Sequence, residues 1–128
     1  GLRPAYCTAM GRVLLAFWEP RARDAYFARL RPVAVTPRTV TDVARLKSMV
    51  ERVRSEGHAI VEEEFALGGS GAAAPVFDGT GRVVAALNVA TVTRRFPGAR
   101  RRIVDAVVDG ARRIGQRLGH RTGLVSAA

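Results

Sequence analysis

The sequence predicts an α+β domain in which an antiparallel sheet packs on helices. Helical apolar periodicity occupies the first half of the chain and its C-terminal end. Three strand-like segments lie between them, at 58–65, 72–77 and 82–92. The last two are joined by the tight turn Asp78-Gly79-Thr80-Gly81, so at least that pair is expected to be antiparallel. The length of 128 residues is that of one domain.

The first helix is predicted to begin after Thr8, whose hydroxyl suits an N-cap. Its predicted apolar face repeats at helical spacing and consists of Met10, Val13, Leu14 and Phe17. Pro20 is expected to end this helix, and a short helix is expected over 24–30. Pro32 and Pro37 then indicate a loop.

The remaining elements carry their own start and stop signals. Thr41 is a candidate cap for the next helix, and Gly57 sits where a C-terminal glycine belongs. The apolar stripe of that helix is Val43, Leu46, Val50 and Val53. The strand that follows is expected to place Ala59, Val61 and Phe65 on one side. The last helix is marked by Val104, Val107, Ala111, Ile114 and Leu118, and Gly119 ends it.

Composition restricts the class of protein. The net charge is +10, and every basic residue except Lys47 is arginine, which favours acidic partners. Aromatic residues make up only 6%, too few for a platform that stacks single-stranded nucleic acid. No apolar run approaches the roughly 20 residues of a membrane span. The single Cys7 excludes an internal disulfide and indicates a reducing, cytoplasmic compartment.

The glycine-rich run matches two catalytic or cofactor patterns loosely. Residues 69–74 fit the G-x-G-x-x-G/A turn of dinucleotide-binding proteins, and residues 68–72 nearly fit the G-x-S-x-G elbow of hydrolases. Both patterns require a helix after the glycines, and Pro75 argues against one. Nothing places His58 or His120 beside Ser70, and no spaced set of metal ligands is present. We therefore expect no enzyme activity, no cofactor and no metal.

Two interpretations of the small residues remain open. Gly71 and the alanines after it either allow another element to pack closely or leave a cavity. The strand at 82–92 is apolar on both faces, so we expect it to be covered on both sides. Asn88 is the exception, either as a core amide bonded to backbone or as a polar group in an apolar ligand pocket.

The start of the first helix is a candidate anion site. The first-turn N–H groups, including those of Met10 and Gly11, have no intrahelical acceptor, and Thr8 can satisfy only one. Together with an apolar wall and the amide of Asn88, this predicts a pocket that suits a small carboxylate.

Four segments of the chain resemble the effector-binding domain of IclR-family transcriptional regulators. They read RPAYCTAMGRVLLAF, TVTDVARLKSMVERVRSEGHAIVEEEFALG, AAPVFDGTGRVVAALNVAT and a final amphipathic helix. The resemblance covers nearly the whole chain, and the form VVAALNVAT is most similar to the branch that controls catabolism of aromatic acids.

The resemblance implies a GAF-like fold with a ligand pocket on one face of the antiparallel sheet. It implies a non-catalytic, cytoplasmic sensor of a small organic acid that forms homodimers or homotetramers. Family members bind DNA through an N-terminal winged helix-turn-helix module. That module and the first strands of the effector domain are missing from residues 1–128, so the chain is expected to contact DNA only through a separate N-terminal part.

The resemblance also implies a set of ligand-binding residues. With Thr8 from the helix argument, they are Ala9, Met10, Val61, Gly69, Gly71, Asn88 and Ala90. Residues 69–72 replace a bulky residue, an arginine and a small polar residue that relatives often carry, and Val61 stands where some place an acid. The pocket is therefore expected to be roomier and less polar than usual, or to have lost its ligand.

Two alternative functions follow from charged segments. The basic residues at 94–95 and 100–102 are typical either of a patch that contacts phosphates or of a solvated surface. The first interpretation would make the chain a basic nucleic-acid- or protein-interaction domain without a ligand. The run Glu62-Glu63-Glu64 could serve a small enzyme, although three carboxylates in sequence are usually solvated.

Overall fold

A computed structural model describes residues 4–121. Its helices are α1 (Ala9–Ala16), α2 (Pro20–Arg29), α3 (Val43–Glu56) and α4 (Phe96–Arg117). Its strands are β1 (Ala59–Glu62), β2 (Gly69–Phe77) and β3 (Val83–Val92), and short 3-10 turns cover Ala5–Cys7 and Thr93–Arg95. The strands form one antiparallel sheet in the order β1-β2-β3. The predicted α+β class is confirmed.

Local signals explain most of the helix boundaries. The hydroxyl of Thr8 accepts a hydrogen bond from the N–H of Gly11 at 3.1 Å, as expected of an N-cap. Gly57 ends α3 in the left-handed conformation, with φ 81°. Asp42 caps α3 in place of the predicted Thr41, because its carboxylate accepts from the N–H of Ala44. Pro20 begins α2 rather than only ending α1, since proline suits the first turn of a helix.

Pro75 lies inside β2, the central strand, where its missing N–H would normally weaken a sheet. The N–H of Glu63 donates to the carbonyl of Gly69, so odd-numbered residues of β2 direct their backbone groups toward β1. Pairing with β1 ends at Ala73, and beyond it β2 is paired only with β3. The missing N–H of Pro75 therefore removes no hydrogen bond from the sheet.

Two apolar clusters sandwich the sheet. On one side, small residues of β2 pack under α4, and the buried members are Ala72, Ala74, Val76, Val107 and Ala111. On the other side, α1 and α3 form a larger cluster that includes Val13, Leu15, Leu46, Val50, Ala59 and Ala73. The sheet is thus covered on both faces only where these helices reach.

β3 is an edge strand, and the prediction that both of its faces are covered is wrong. Leu87 and Val89 pack against the α4 cluster. On the other row of side chains, Ala86 packs against the α1 and α3 cluster, but Val84, Asn88 and Ala90 are exposed. An apolar alternation shows which residues share a face, but it does not specify whether another element lies over that face.

A buried ion pair links α1 to the segment after β1. The guanidinium of Arg12 donates to both carboxylate oxygens of Glu64 and, through Nε, to the carbonyl of Tyr6 at 2.8 Å. Arg12 and Glu64 are both buried. The expectation that the three glutamates are solvated is therefore wrong for Glu64, because Arg12 supplies a partner from a distant part of the chain.

Candidate functional site

A cavity of about 430 Å³ lies between the start of α1, the β1–β2 loop and one face of β2 and β3. All eight residues predicted to bind a ligand line it: Thr8, Ala9, Met10, Val61, Gly69, Gly71, Asn88 and Ala90. The other lining residues are Ala5, Cys7, Gly11, Leu14, Phe65, Ala66 and Ser70. Within residues 4–121, none of the side chains lining this cavity is charged.

The start of α1 forms the polar end of the cavity. The first intrahelical bond runs from the N–H of Arg12 to the carbonyl of Thr8, and the Thr8 hydroxyl accepts from Gly11. Helix geometry leaves the N–H groups of Ala9 and Met10 without an intrahelical acceptor. These two backbone donors are therefore available to an anion.

Gly11 lets the turn at Ala5–Cys7 pack onto the first turn of α1. A β-carbon at Gly11 would overlap the backbone of Ala5, so any side chain would force the turn away. Because Ala5, Cys7 and Gly11 all line the cavity, this close contact shapes its polar end.

The glycine-rich wall contains two glycines with different roles. A β-carbon at Gly71 would lie 2.7 Å from the carbonyl oxygen of Val89, so glycine is required there by the approach of β3. A β-carbon at Gly69 would meet nothing closer than the Ala66 carbonyl oxygen at 3.6 Å. Close packing therefore accounts for Gly71 and for the buried alanines after it, whereas the open space lies at Gly69, just before that run.

The long walls of the cavity are apolar apart from one amide. Met10 and Leu14 are one helical turn apart on α1 and both are partly exposed. Val61 on β1 is buried. Asn88 is exposed, and its side chain makes no hydrogen bond with the residues that the structure describes. It is therefore not a core amide, and it remains available to a ligand or to water.

The β1–β2 loop is held from outside the cavity. Glu63 adopts φ 59°, the only positive φ of a non-glycine residue between positions 4 and 121. Its carboxylate accepts from the N–H of Gly68 at 2.8 Å, and its carbonyl accepts from the Thr36 hydroxyl at 2.6 Å. The Thr39 hydroxyl donates to the carbonyl of Glu64 at 2.6 Å. These bonds fix the loop whose Phe65 and Ala66 line the cavity, and nothing local in the sequence indicated them.

The geometry around Ser70 is not that of a nucleophile. Its hydroxyl lies 2.9 Å from the Thr93 hydroxyl, and Ser70 itself is buried in β2. His120 stacks on Phe77, with Nδ1 3.1 Å from the carbonyl of Asp78. Burial raises the pKa of the Cys7 thiol, which disfavours the thiolate. Within the described part of the chain, no cluster of three metal-binding side chains occurs.

Two other cavities differ in character. One of about 450 Å³ lies between α3 and β1 and is lined by both arginines and glutamates, among them Arg45, Arg52 and Glu62. The other, of about 300 Å³, includes Phe17, Arg54 and His120. Of these three cavities, the one at the start of α1 combines an uncharged lining with backbone donors that have no intrahelical acceptor.

None of the helices described is both long and apolar enough to cross a membrane.

Comparison with known proteins places the chain in a family. The family described as "Bacterial transcriptional regulator IclR C-terminal" matches residues 1–116. The Pca regulon regulatory protein of Pseudomonas putida is 41% identical over 91 residues, which are 71% of this chain and 31% of that protein. The DNA-binding transcriptional repressor YiaJ of Escherichia coli (strain K12) is 34% identical over 97 residues, covering 73% of this chain and 34% of YiaJ.

A solved structure of a transcriptional regulator also resembles this chain. A protein of Rhodococcus sp. RHA1, described as a transcriptional regulator, superimposes with a TM-score of 0.87 at 34% identity, covering 91% of this chain and 48% of its own. The chain spans about a third of the length of the two curated relatives. These relatives are regulators rather than enzymes, as the sequence predicted. The chain belongs to the IclR family of bacterial transcriptional regulators and corresponds to their C-terminal domain.

Proposed function

We propose that this chain senses a small carboxylate, most simply an aromatic one, and thereby controls the DNA binding of a bacterial transcriptional regulator. The observation that carries the proposal is the cavity at the start of α1. Its lining is uncharged, yet it offers the two backbone donors of Ala9 and Met10 at one end and the amide of Asn88 on another wall.

The chemistry of the lining selects the ligand class. A volume of about 430 Å³ falls within the usual range of small-molecule sites. A carboxylate is favoured at the start of α1, because the N–H groups and the helix dipole both stabilise negative charge there. The body of the ligand would lie against Met10, Leu14 and Val61, which favour an apolar group. The amide of Asn88 would bond one further polar substituent.

The rest of the regulator is inferred from the family. Sequence-specific DNA recognition would come from an N-terminal winged helix-turn-helix outside residues 1–128, and the regulator would act as a cytoplasmic homodimer or homotetramer. The name of the Pca regulon regulatory protein supports a role in controlling a set of genes. Native mass spectrometry of the regulator would measure the oligomeric state directly.

Thermal unfolding with a panel of acids tests the proposal. At about one hundred times the dissociation constant, a ligand should add about 2.7 kcal/mol to the free energy of unfolding. For a domain of this size, that is a rise in melting temperature of several degrees. We expect substituted benzoates to produce it, and matched neutral benzamides to produce less because they lack the charge that the helix start favours. A panel in which no acid shifts the melting temperature would contradict the proposal.

Gly69→Val locates the site. The added side chain enters the cavity without meeting the backbone of β3, so the shift should disappear while the unliganded protein keeps its melting temperature. Gly98→Val is the matched control, because Gly98 also faces open space but lies on α4, away from the cavity. Retention of the ligand shift in Gly69→Val would mean that the ligand binds elsewhere.

Asn88→Leu tests the contact to a second polar substituent. It should weaken binding of a hydroxylated acid by about 1–3 kcal/mol, the usual cost of leaving a polar group unpaired. Binding of the acid that lacks the hydroxyl should change little. Equal losses for both ligands would show that Asn88 does not contact the substituent.

A further inference from the structure

Positive charge is concentrated in one part of the chain that the cavity does not use. Residues 93–117 contain eight arginines and two aspartates, so this stretch holds six of the ten net positive charges. The stretch comprises the 3-10 turn Thr93–Arg95 and α4. Four of its arginines, Arg94, Arg95, Arg101 and Arg102, are exposed near the start of α4. We refer to these four residues as the basic cluster.

The basic cluster is almost free of internal partners. Arg101 is the only member with an acidic neighbour, Asp105 at 4.0 Å, and its side chain is 96% exposed. Arg94, Arg95 and Arg102 form no ion pair with any residue in the range 4–121. Nearby Arg100 differs, because it binds the carboxylate of Glu62 at 3.1 Å. The charges of the cluster are therefore available to an external partner.

Two of the residues between these arginines have little or no side chain. Arg95 and Arg102 are seven residues apart, which is about 10 Å along a helix and nearly two turns, so they share a face. Gly98 and Ala99 lie between them, and a β-carbon at Gly98 would meet nothing within 4 Å. An elongated anion can therefore lie across the cluster without displacing other side chains.

Folding does not explain why arginines occupy this position. Cations near the start of a helix oppose its dipole and lower stability. The first turn of α4 contains no acidic residue, and no side chain caps it. The cluster is thus electrostatically unfavourable in the isolated fold, and a bound polyanion would relieve this repulsion.

We propose that the basic cluster contacts the phosphate backbone of duplex DNA without reading its sequence, so that this domain adds electrostatic affinity to the regulator. This goes beyond the sensing role of the cavity. A relative of the chain, YiaJ, is described as a DNA-binding transcriptional repressor, which makes duplex DNA a polyanion that a domain of this family would meet. Specific recognition would still come from the N-terminal module, because phosphate contacts carry no sequence information.

The surroundings of the cluster favour duplex DNA over other polyanions. A helix that binds membranes needs a row of large apolar side chains beside its cations. Val107 and Ala111 of α4 are buried against the sheet. The exposed Val108 and Ile114 lie in later turns of the helix, beyond the cluster. Of the exposed large apolar residues that the structure describes, Val92 alone lies close to the cluster, and one side chain does not form such a row. Binding of single strands needs exposed aromatic rings, and the neighbouring Phe96 is buried.

Salt-dependent binding of the 128-residue chain to a labelled duplex of arbitrary sequence tests the proposal. Each phosphate contact contributes about 0.9 to the slope of log Kobs against log salt concentration. The triple variant R94Q/R95Q/R102Q should therefore have a slope shallower by about 2.7. These residues are exposed and oppose the dipole of α4, so the variant should stay folded, with a melting temperature equal to or slightly above that of the parent chain.

The matched control is R21Q/R29Q/R31Q, which removes the same charge from exposed positions on and after α2. Its slope should equal that of the parent chain. Equal loss in both triple variants would overturn the proposal, because it would show a general effect of net charge. The proposal is also overturned if the parent chain fails to bind duplex at low salt, binds single strands more tightly, or binds anionic vesicles but not DNA.

Discussion

Hydropathy alone does not divide the two faces of α1, because one charged residue is buried and two apolar residues are exposed. Toward the core, Arg12 is 1% exposed, beside Val13 and Leu15. Toward the cavity, Met10 and Leu14 are 40% and 36% exposed. The apolar stripe predicted for α1 thus includes two residues that face the cavity and omits Leu15.

The difference shows that burial depends on available partners as well as on hydropathy. Arg12 can be buried because Glu64 and the carbonyl of Tyr6 satisfy its guanidinium. Met10 and Leu14 stay partly exposed because they border the cavity, which Gly69 and Gly71 line without side chains. The exposed apolar residues of α1 therefore line a cavity and are not part of a poorly packed core.

The largest expected effect comes from removing the ion pair on the core face of α1. Glu64→Gln leaves Arg12 buried without a counter-ion and should lower the free energy of unfolding by about 3–5 kcal/mol. Urea denaturation measures the loss. The control is Glu56→Gln, which removes an exposed i,i+4 pair with Arg52 and should cost about 0–1 kcal/mol. Similar losses in the two variants would show that burial of the Arg12–Glu64 pair does not matter.

The next comparison uses two neighbouring leucines of α1. Leu15→Ala empties a fully buried site and should cost about 2–5 kcal/mol. Leu14→Ala removes the same atoms from the cavity face, and its cost should stay near about 0.5 kcal/mol, as is usual away from the core. Chemical denaturation measures the free energy of unfolding of both variants. A larger loss in Leu14→Ala than in Leu15→Ala would place the core on the other face of α1.

Two glycines of β2 provide a smaller test. Gly71→Ala places a β-carbon 2.7 Å from the Val89 carbonyl oxygen, so β3 must shift, at a cost of about 1–3 kcal/mol. Gly69→Ala meets no such obstacle and should change stability by less than about 0.5 kcal/mol. The melting temperatures of the two variants measure the difference, and equal values would contradict the assigned roles of the two glycines.

The smallest effect concerns Cys7, which ends the 3-10 turn before α1, belongs to the core cluster and also lines the cavity. Burial raises the pKa of its thiol above the ordinary value of 9.0. The folded state then holds the proton more tightly than the unfolded state, so stability is full below pH 9 and falls as pH rises toward the folded pKa. Cys7→Ala should lose less stability than the parent chain between pH 8 and pH 10. Identical alkaline losses would assign the effect to other groups.

The sequence by itself determined the features that depend on a few neighbouring residues. The cap at Thr8, the end of α3 at Gly57 and the hairpin around Asp78 each involve contacts within about five positions, so their residue types were sufficient to predict them. The α+β class followed from the order of these elements. The eight candidate site residues came from the resemblance to the family and from the orphan N–H groups of α1.

Tertiary structure alone decided which surfaces are covered. Arg12 and Glu64 are separated by 52 positions, and no local pattern indicates that they meet. The sequence does not distinguish Gly69 from Gly71. The path of β3 requires glycine at Gly71 and leaves room for a side chain at Gly69. Asn88 is exposed because the start of α1 stands away from that side of β3 and leaves the cavity between them. The physical reason is the same in each case. The periodicity of side chains specifies which residues share a face of a helix or strand, whereas the burial of that face depends on elements distant in sequence that pack against it.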